Sequence, residues 1–348
     1  MTKKGRAGRT IARFAGVAAA SIVLCVLAAA VALALAARPA EGIGKGGLFE
    51  VKKGDNAQDI AIALEGRGLI RSAFAFRLLA KAEGIGASLK AGTYRIGPEM
   101  GAKRILDEFV SGKQALVKVT IPEGYTLSQL ALLLEREGVA RKADFLAAAK
   151  DPALLSELGI PAASVEGYLF PDTYFFPAGY SAEGALRSMV RTFRDRIAGI
   201  PEAAALSPQE LQDRLILASI VEREYKSPEE APYMASVFYN RLKIRMALQS
   251  CATVVYVITE RLGKPHPEVV YDRDLKLADP YNTYEHRGLP PGPISNPGMT
   301  SLRAVFYPAS TRYLYFRLAN AEAGTHHFSE TLEEHLDART LFIKKVGG

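Results

Sequence analysis

The sequence predicts an α+β protein behind an N-terminal transmembrane helix. Three observations predict it. The first is an uncharged apolar run near the start. The second is an alternation of short strand-like and capped helix-like stretches through the first half. The third is an aromatic-rich return to strand near the end. At 348 residues and 49% hydrophobic content, the chain can bury one large core or two smaller ones.

Residues 1–13 carry Lys3, Lys4, Arg6, Arg9 and Arg13, and residues 14–37 carry no charge. A run of ~20 apolar residues is what a membrane-spanning helix needs. Past it, Arg38 and Lys45 are the only basic residues before Leu48. This asymmetry predicts a cytoplasmic tail, a span over 14–37 and the bulk of the chain outside the cytoplasm, at a cell (inner) membrane. The small residues Ala34-Leu35-Ala36-Ala37 also suit a signal peptidase, but the run is longer than a usual signal core, which favours an uncleaved anchor. Residues 38–47 read as a Gly-rich linker. The net charge of +7 is spread out, with no dense basic face of the kind nucleic acid demands. Two cysteines, Cys25 and Cys251, lie too far apart in context to predict a disulfide, and no Cys/His spacing reads as a zinc site.

Residues 48–115 read as a small module. Phe49-Glu50-Val51 is a strand and Lys53-Gly54-Asp55 a turn. A helix over 57–66 closes at Gly66 and Gly68, Ser72 caps a helix over 73–82, and 91–96 is a closing strand. Residues 116–348 form the larger domain. Its strand at 117–121, turn at 122–125 and Thr126-capped helix to about Glu137 repeat the pattern of the strand at Val51 and the helix that follows it. A helix over 181–197 follows the aromatic stretch 166–174. Residues 279–298, with Pro280, Pro290, Pro291, Pro293 and Pro297, predict an ordered functional loop. Strands at 313–317 and 326–328, then a helix from about Thr331, end the chain.

The most informative segment is Leu215-Ile-Leu-Ala-Ser-Ile-Val-Glu-Arg-Glu224. Ser207 and Pro208 start its helix, which is apolar nearly all round and so predicted buried. A carboxyl at the end of a buried helix is pushed toward its neutral form by burial and by the negative end of the helix dipole, as a general acid requires. Residues two apart cannot share a face. Glu224 lies over Ile220 and Val221, Glu222 over Ala218 and Ser219, so Glu224 is the predicted acid. The plain alternative is a solvated helix end with Arg223 and Lys226 pairing locally.

Several segments in one order resemble a known family, the endolytic murein transglycosylases of the YceG-like type. They are Glu166-Gly-Tyr-Leu-Phe-Pro-Asp-Thr-Tyr174, Ala218-Ser-Ile-Val-Glu-Arg-Glu224, Ala235-Ser-Val-Phe-Tyr-Asn-Arg-Leu242, Tyr281-Asn-Thr-Tyr284, Gly288-Leu-Pro-Pro-Gly292 and 308–316. The resemblance implies a LysM-like module over 48–115 and a catalytic domain over 116–348. It also implies Glu224 as the catalytic residue and peptidoglycan glycan strands as substrate, with no cofactor. The implied reaction cleaves the N-acetylmuramic acid to N-acetylglucosamine bond within nascent strands and leaves a 1,6-anhydro end, a step that would terminate elongation. Cell-wall synthases (penicillin-binding proteins) are the implied partners.

The candidate substrate-binding residues are Glu166, Tyr168, Gln249, Asn282, Tyr284 and His326. Aromatics at 168, 170 and 174 suit stacking on sugars, and amides at 249 and 282 suit N-acetyl or hydroxyl groups. Each also has a structural reading as core or turn. Alternation puts His326 and His327 on opposite faces of a strand, which argues against a shared metal ion. One departure stands out. The family usually has Asp-Pro where this chain has Cys251-Ala252, so that either Ser250 caps the helix instead or a site carboxylate is lost. Hydrolytic muramidase activity, or a glycan-binding scaffold without catalysis, are the alternatives to the lytic reaction.

Overall fold

The structure, a computed structural model, describes residues 23–25, 27–28, 30–40, 46–320 and 322–338. The expected tail and much of the expected span lie outside these. No helix among the described residues is long and apolar enough to cross a membrane. The chain divides into two compact units, Met1–Leu116 and Val117–Gly348.

In the first unit β1 (Gly47–Val51) pairs antiparallel with β2 (Gly92–Ile96), and between them run α1 (Ala57–Gly66) and α2 (Ala73–Ala82). Asn56 opens α1 with a capping box to Asp59, and Ser72 caps α2. A third helix, α3 (Ala102–Ser111), has no counterpart in the sequence reading. Its buried Ala102, Ile105, Leu106 and Phe109 follow the spacing of one helical face, and it ends at left-handed Gly112. Phe109 centres the core, with ring centroids 5.9, 6.5 and 4.7 Å from Phe49, Phe76 and Tyr94.

The second unit opens with β3 (Leu116–Thr120) and α4 (Leu127–Arg136), which repeat the local construction of β1 and α1. Thr126 and Gln129 form a capping box. After each helix a glycine turns left-handed, Gly68 at φ 67° and Gly138 at φ 70°. The next N–H reaches back in the same way, Leu69 to Leu64 at 2.9 Å and Val139 to Leu134 at 2.8 Å. Two short helices absent from the sequence reading, α5 (Lys142–Ala148) and α6 (Pro152–Glu157), precede β4 (Thr173–Pro177), which pairs with β3. Asp151 and Pro152 supply the cap and first turn of α6.

The remaining elements are α7 (Ala182–Ile197), α8 (Pro208–Glu224), α9 (Ala231–Lys243), α10 (Cys251–Tyr256), α11 (Met299–Phe306) and the antiparallel hairpin β5 (Tyr315–Asn320) and β6 (Thr325–Ser329). Helix α8 packs against α9, α10 and α11, and its Leu215, Leu217, Ala218, Ile220 and Val221 lie in the core. Its hydrophobicity all round follows from being covered on several sides. Residues 279–298 form no helix or strand, yet Asn282, Thr283, Ser295 and Asn296 within them are buried, so the segment is an ordered loop.

Candidate active site

Helix α8 starts at a capping box of Ser207 and Glu210 and stops where Tyr225 turns extended. Its last residue is Glu224. The Glu224 carboxylate accepts hydrogen bonds from the Ser250 hydroxyl and from the Ala252 backbone N–H. Glu224 keeps partial access to solvent although protein surrounds its carboxyl group. Burial pushes its pKa above the ordinary carboxyl value. Ser250, Ala252, His326 and Arg223 oppose that shift without cancelling it.

Of the two accounts of Cys251-Ala252 left open by the sequence, one has Ser250 capping α10. The structure differs: Ser250 occupies the cap position but makes no capping bond, because its hydroxyl is committed to Glu224. The turn before it is held by the 279–298 loop. Thr283 accepts from the Gln249 N–H through its carbonyl (3.1 Å) and from the Ser250 N–H through its hydroxyl (3.0 Å). Gln249 is left-handed at φ 48°, an uncommon state for a residue with a side chain and a frequent mark of functional turns. This conformation leaves its amide side chain exposed one residue from Ser250.

Two further groups approach Glu224. The Tyr284 hydroxyl lies 3.1 Å from the exposed Cys251 thiol, and the Glu224 charge bears on both groups. Burial is the main cause that raises each of their pKa values. On β6, His326 places Nδ1 2.7 Å from Oε2 of Glu230 and donates its backbone N–H to Oε1 at 2.9 Å. Glu230, the residue before α9, escaped the sequence reading.

The structure thus gathers Glu224, Gln249, Tyr284 and His326 and sets the other three predicted residues apart. Glu166 is buried. It accepts from the N–H of Leu127 at the start of α4 (2.8 and 3.1 Å) and from the Asn296 amide (3.1 Å). It is a helix cap, and burial pushes its pKa up to about 8. Tyr168 is core: its hydroxyl donates to Gln212 at 2.7 Å and its ring meets Phe193 edge-on. Phe170 and Tyr174 are buried beside it, with the Tyr174 hydroxyl on the Phe170 carbonyl, so these aromatics offer no sugar-stacking surface. Asn282 is fully buried. Its amide nitrogen donates to the carbonyls of Leu275 and Leu277, and its oxygen accepts from the Tyr284 N–H, so it shapes the loop.

Glu222, on the other side of α8, accepts from the Gly298 N–H (2.9 Å) and the Ser301 hydroxyl (2.6 Å) at the start of α11. Arg223 reaches the Gly124 carbonyl at 3.3 Å and lies in the field of Glu166, Glu222, Glu224 and Glu260. Among the described residues no group of three His, Cys, Asp or Glu side chains converges as a metal site.

A protonation-biased carboxyl, a hydroxyl donor and an imidazole–carboxylate pair on an α+β scaffold are an arrangement suited to general acid–base chemistry. The chain belongs to the YceG-like family, whose profile matches residues 49–340. It is 32% identical over 311 residues to an endolytic murein transglycosylase of Bacillus subtilis, covering 85% of this chain and 84% of that one. It is 29% identical to a protein of the same name from Streptococcus pneumoniae, covering 82% of this chain and 56% of that one. A crystal structure of a YceG-like protein from Listeria monocytogenes is 35% identical, with a TM-score of 0.56, and the match covers 84% of this chain and 99% of that one.

Proposed function

We propose that the chain is a membrane-anchored endolytic lytic transglycosylase that cleaves the N-acetylmuramic acid to N-acetylglucosamine bond of peptidoglycan strands. The observation that carries the reading is Glu224, held at the end of a buried helix with its pKa raised and its carboxylate oriented by Ser250 and Ala252. In the neutral form it protonates the leaving oxygen. As carboxylate it then takes the proton from the muramic 6-hydroxyl, which attacks its own anomeric carbon and closes a 1,6-anhydro ring. One acid–base group suffices because the nucleophile belongs to the substrate, whereas most glycosidases employ two carboxyls.

The neighbouring acids favour this route over hydrolysis, since Glu166 and Glu222 are both committed to helix starts. The similarity to proteins named endolytic murein transglycosylases supports the same reading. The first unit suits a glycan tether. It has a cleft of about 670 Å³ lined by Asn56, Gln58, Phe74, Arg77 and Lys81, with Phe74 exposed for stacking. Anchoring through residues 14–37, a catalytic domain outside the cytoplasm, termination of nascent strands and work beside cell-wall synthases complete the proposal.

Mass spectrometry of products from purified glycan strands tests the reaction. Anhydro ends are expected, and products heavier by one water would establish a muramidase instead. A reporter active only outside the cytoplasm, fused after Gly348, tests the topology. Activity of a cytoplasm-only reporter at that position would overturn it.

A further inference from the structure

The β5–β6 hairpin carries a cationic group that the reaction does not use. Arg317 and His327 face each other across the two strands. The His335 ring stacks on Tyr315 with centroids 5.3 Å apart, and the Arg241 guanidinium sits 5.3 Å over the same Tyr315 ring. Two nitrogens in this group, Nε of Arg317 and Nδ1 of His335, are buried with no hydrogen-bond partner among the described residues. Buried polar atoms are nearly always paired, so two orphans on neighbouring side chains call for an explanation, and an unfilled ion site is one. Among the described residues none of the four side chains has a carboxylate partner. Burial and the charges of Arg317, Arg241 and His327 together hold His335 below the usual imidazole value. The charge of Glu224 bears on Arg241, so the cationic group lies within electrostatic reach of the Glu224 carboxyl.

We propose that Arg317 and His335, backed by Arg241 and His327, form a subsite for a free carboxylate on the peptide substituent of a glycan strand bound at Glu224. The identity of that ligand rests on the glycan-strand reading above. A carboxylate has two acceptor oxygens, one for the Arg317 Nε–H and one for the Nδ1–H tautomer of His335. In a peptide-bearing strand the muramic carboxyl is amide-linked, so the free carboxylates are those of the peptide, and such a subsite distinguishes strands whose peptides end in free carboxylates from strands whose peptides are amidated. The guanidinium stays charged at any working pH, which keeps the subsite cationic.

The test titrates the full-length protein with a stem tetrapeptide carrying free carboxylates and with its fully amidated counterpart. Cleavage of strands bearing free-acid peptides and of strands bearing fully amidated peptides is measured alongside. The free-acid peptide is expected to bind roughly tenfold tighter than the amidated one, the scale of one charge-assisted contact. Arg317→Gln and His335→Asn should remove that preference, and Arg317→Lys should retain part of it. In cleavage, Arg317→Gln should raise KM on strands with free-acid peptides and leave strands with amidated peptides unchanged. Equal binding of the two peptides by the wild type, or equal loss on both strands in Arg317→Gln, overturns the subsite. Selective free-acid binding by a wild type that cleaves neither strand overturns the glycosidase reading and leaves the anion subsite standing.

Discussion

Glu230 grips His326 twice, through Nδ1 at 2.7 Å and through the backbone N–H at 2.9 Å. The carboxylate thereby fixes both the ring and the strand that carries it. With Nδ1 engaged, Nε2 is the ring nitrogen left for the site. His326 lowers the Glu224 pKa, against the larger effect of burial.

That relationship sets the sign of a pH effect. A general acid works while protonated, so activity falls as pH rises through the Glu224 pKa. Removing His326 removes an influence that lowers this pKa. In His326→Gln the basic limb of the pH–rate profile should move to higher pH, and in Glu230→Gln it should move the same way by less. An unmoved limb in both variants, measured over the full profile, would show that the pair does not act on Glu224.

Cys251 offers a second handle on the same group. Its thiol lies beside Tyr284, and the Glu224 charge acts on it. Cys251→Asp places a like charge near Glu224 and should raise its pKa, again shifting the basic limb upward. Ser250 is already occupied with Glu224, so the exchange should not depend on helix capping. If position 251 serves only to start α10, the variant's rate should stay within a few-fold of wild type at every pH.

The place of Glu224 at the end of a buried helix was legible from sequence because every rule that points to it is local. Ser207 and Pro208 mark where its helix begins, the apolar run marks burial, and two-residue spacing separates it from Glu222. The pairing of Ser250 with Glu224 and of Glu230 with His326 was not legible. Ser250 meets Glu224 across 26 residues of chain and Glu230 meets His326 across 96, and no periodicity reports such closures. Tyr168, Phe170 and Tyr174 show the converse. An aromatic run has the same composition whether it lines a groove or fills a core, and only packing against Phe193 and Gln212 decides. Helix α3 is different again, since its spacing at 102, 105, 106 and 109 lies in the sequence.

The first unit's cleft yields a prediction independent of catalysis. Phe74 lines this cleft and is 70% exposed, so its ring is free to stack on a ligand. Phe74→Ala should weaken retention on insoluble glycan several-fold in a sedimentation assay while leaving thermal stability nearly unchanged, because the side chain buries little. Undiminished retention would remove the tether role from this cleft.

Buried Glu166 makes stability depend on pH. Its pKa is about 8 in the folded chain against 4.5 for the unperturbed group. Between those values the folded state binds more protons than the unfolded one, so stability falls as pH rises from about 4.5 to 8. The slope reaches at most ~1.4 kcal/mol per pH unit for one proton. Glu166→Gln keeps the shape of the α4 cap and cannot ionise, so the pH dependence of Tm in this window should flatten. A variant with the wild-type slope would assign that slope to other groups, Glu222 and Glu224 foremost.

The paired test of α8 separates its two acids by role. Glu224→Gln preserves shape and a hydrogen-bonding oxygen but has no proton to transfer. General acid–base catalysis contributes ~100- to 10,000-fold, so strand cleavage should fall at least that far while the fold persists. Anhydro-ended products should vanish with it. Glu222→Gln should do the reverse. Its carboxylate accepts from Gly298 and Ser301 at the start of α11, and an amide oxygen satisfies those donors only in part and without charge. The expected cost is ~1 kcal/mol of stability, the scale of a lost helix cap, with cleavage retained within a few-fold. Thermal melts and product analysis on both variants read the two roles separately. Loss of cleavage confined to folded Glu222→Gln would transfer the acid role to that residue, and equal loss in both folded variants would dissolve the single-acid assignment.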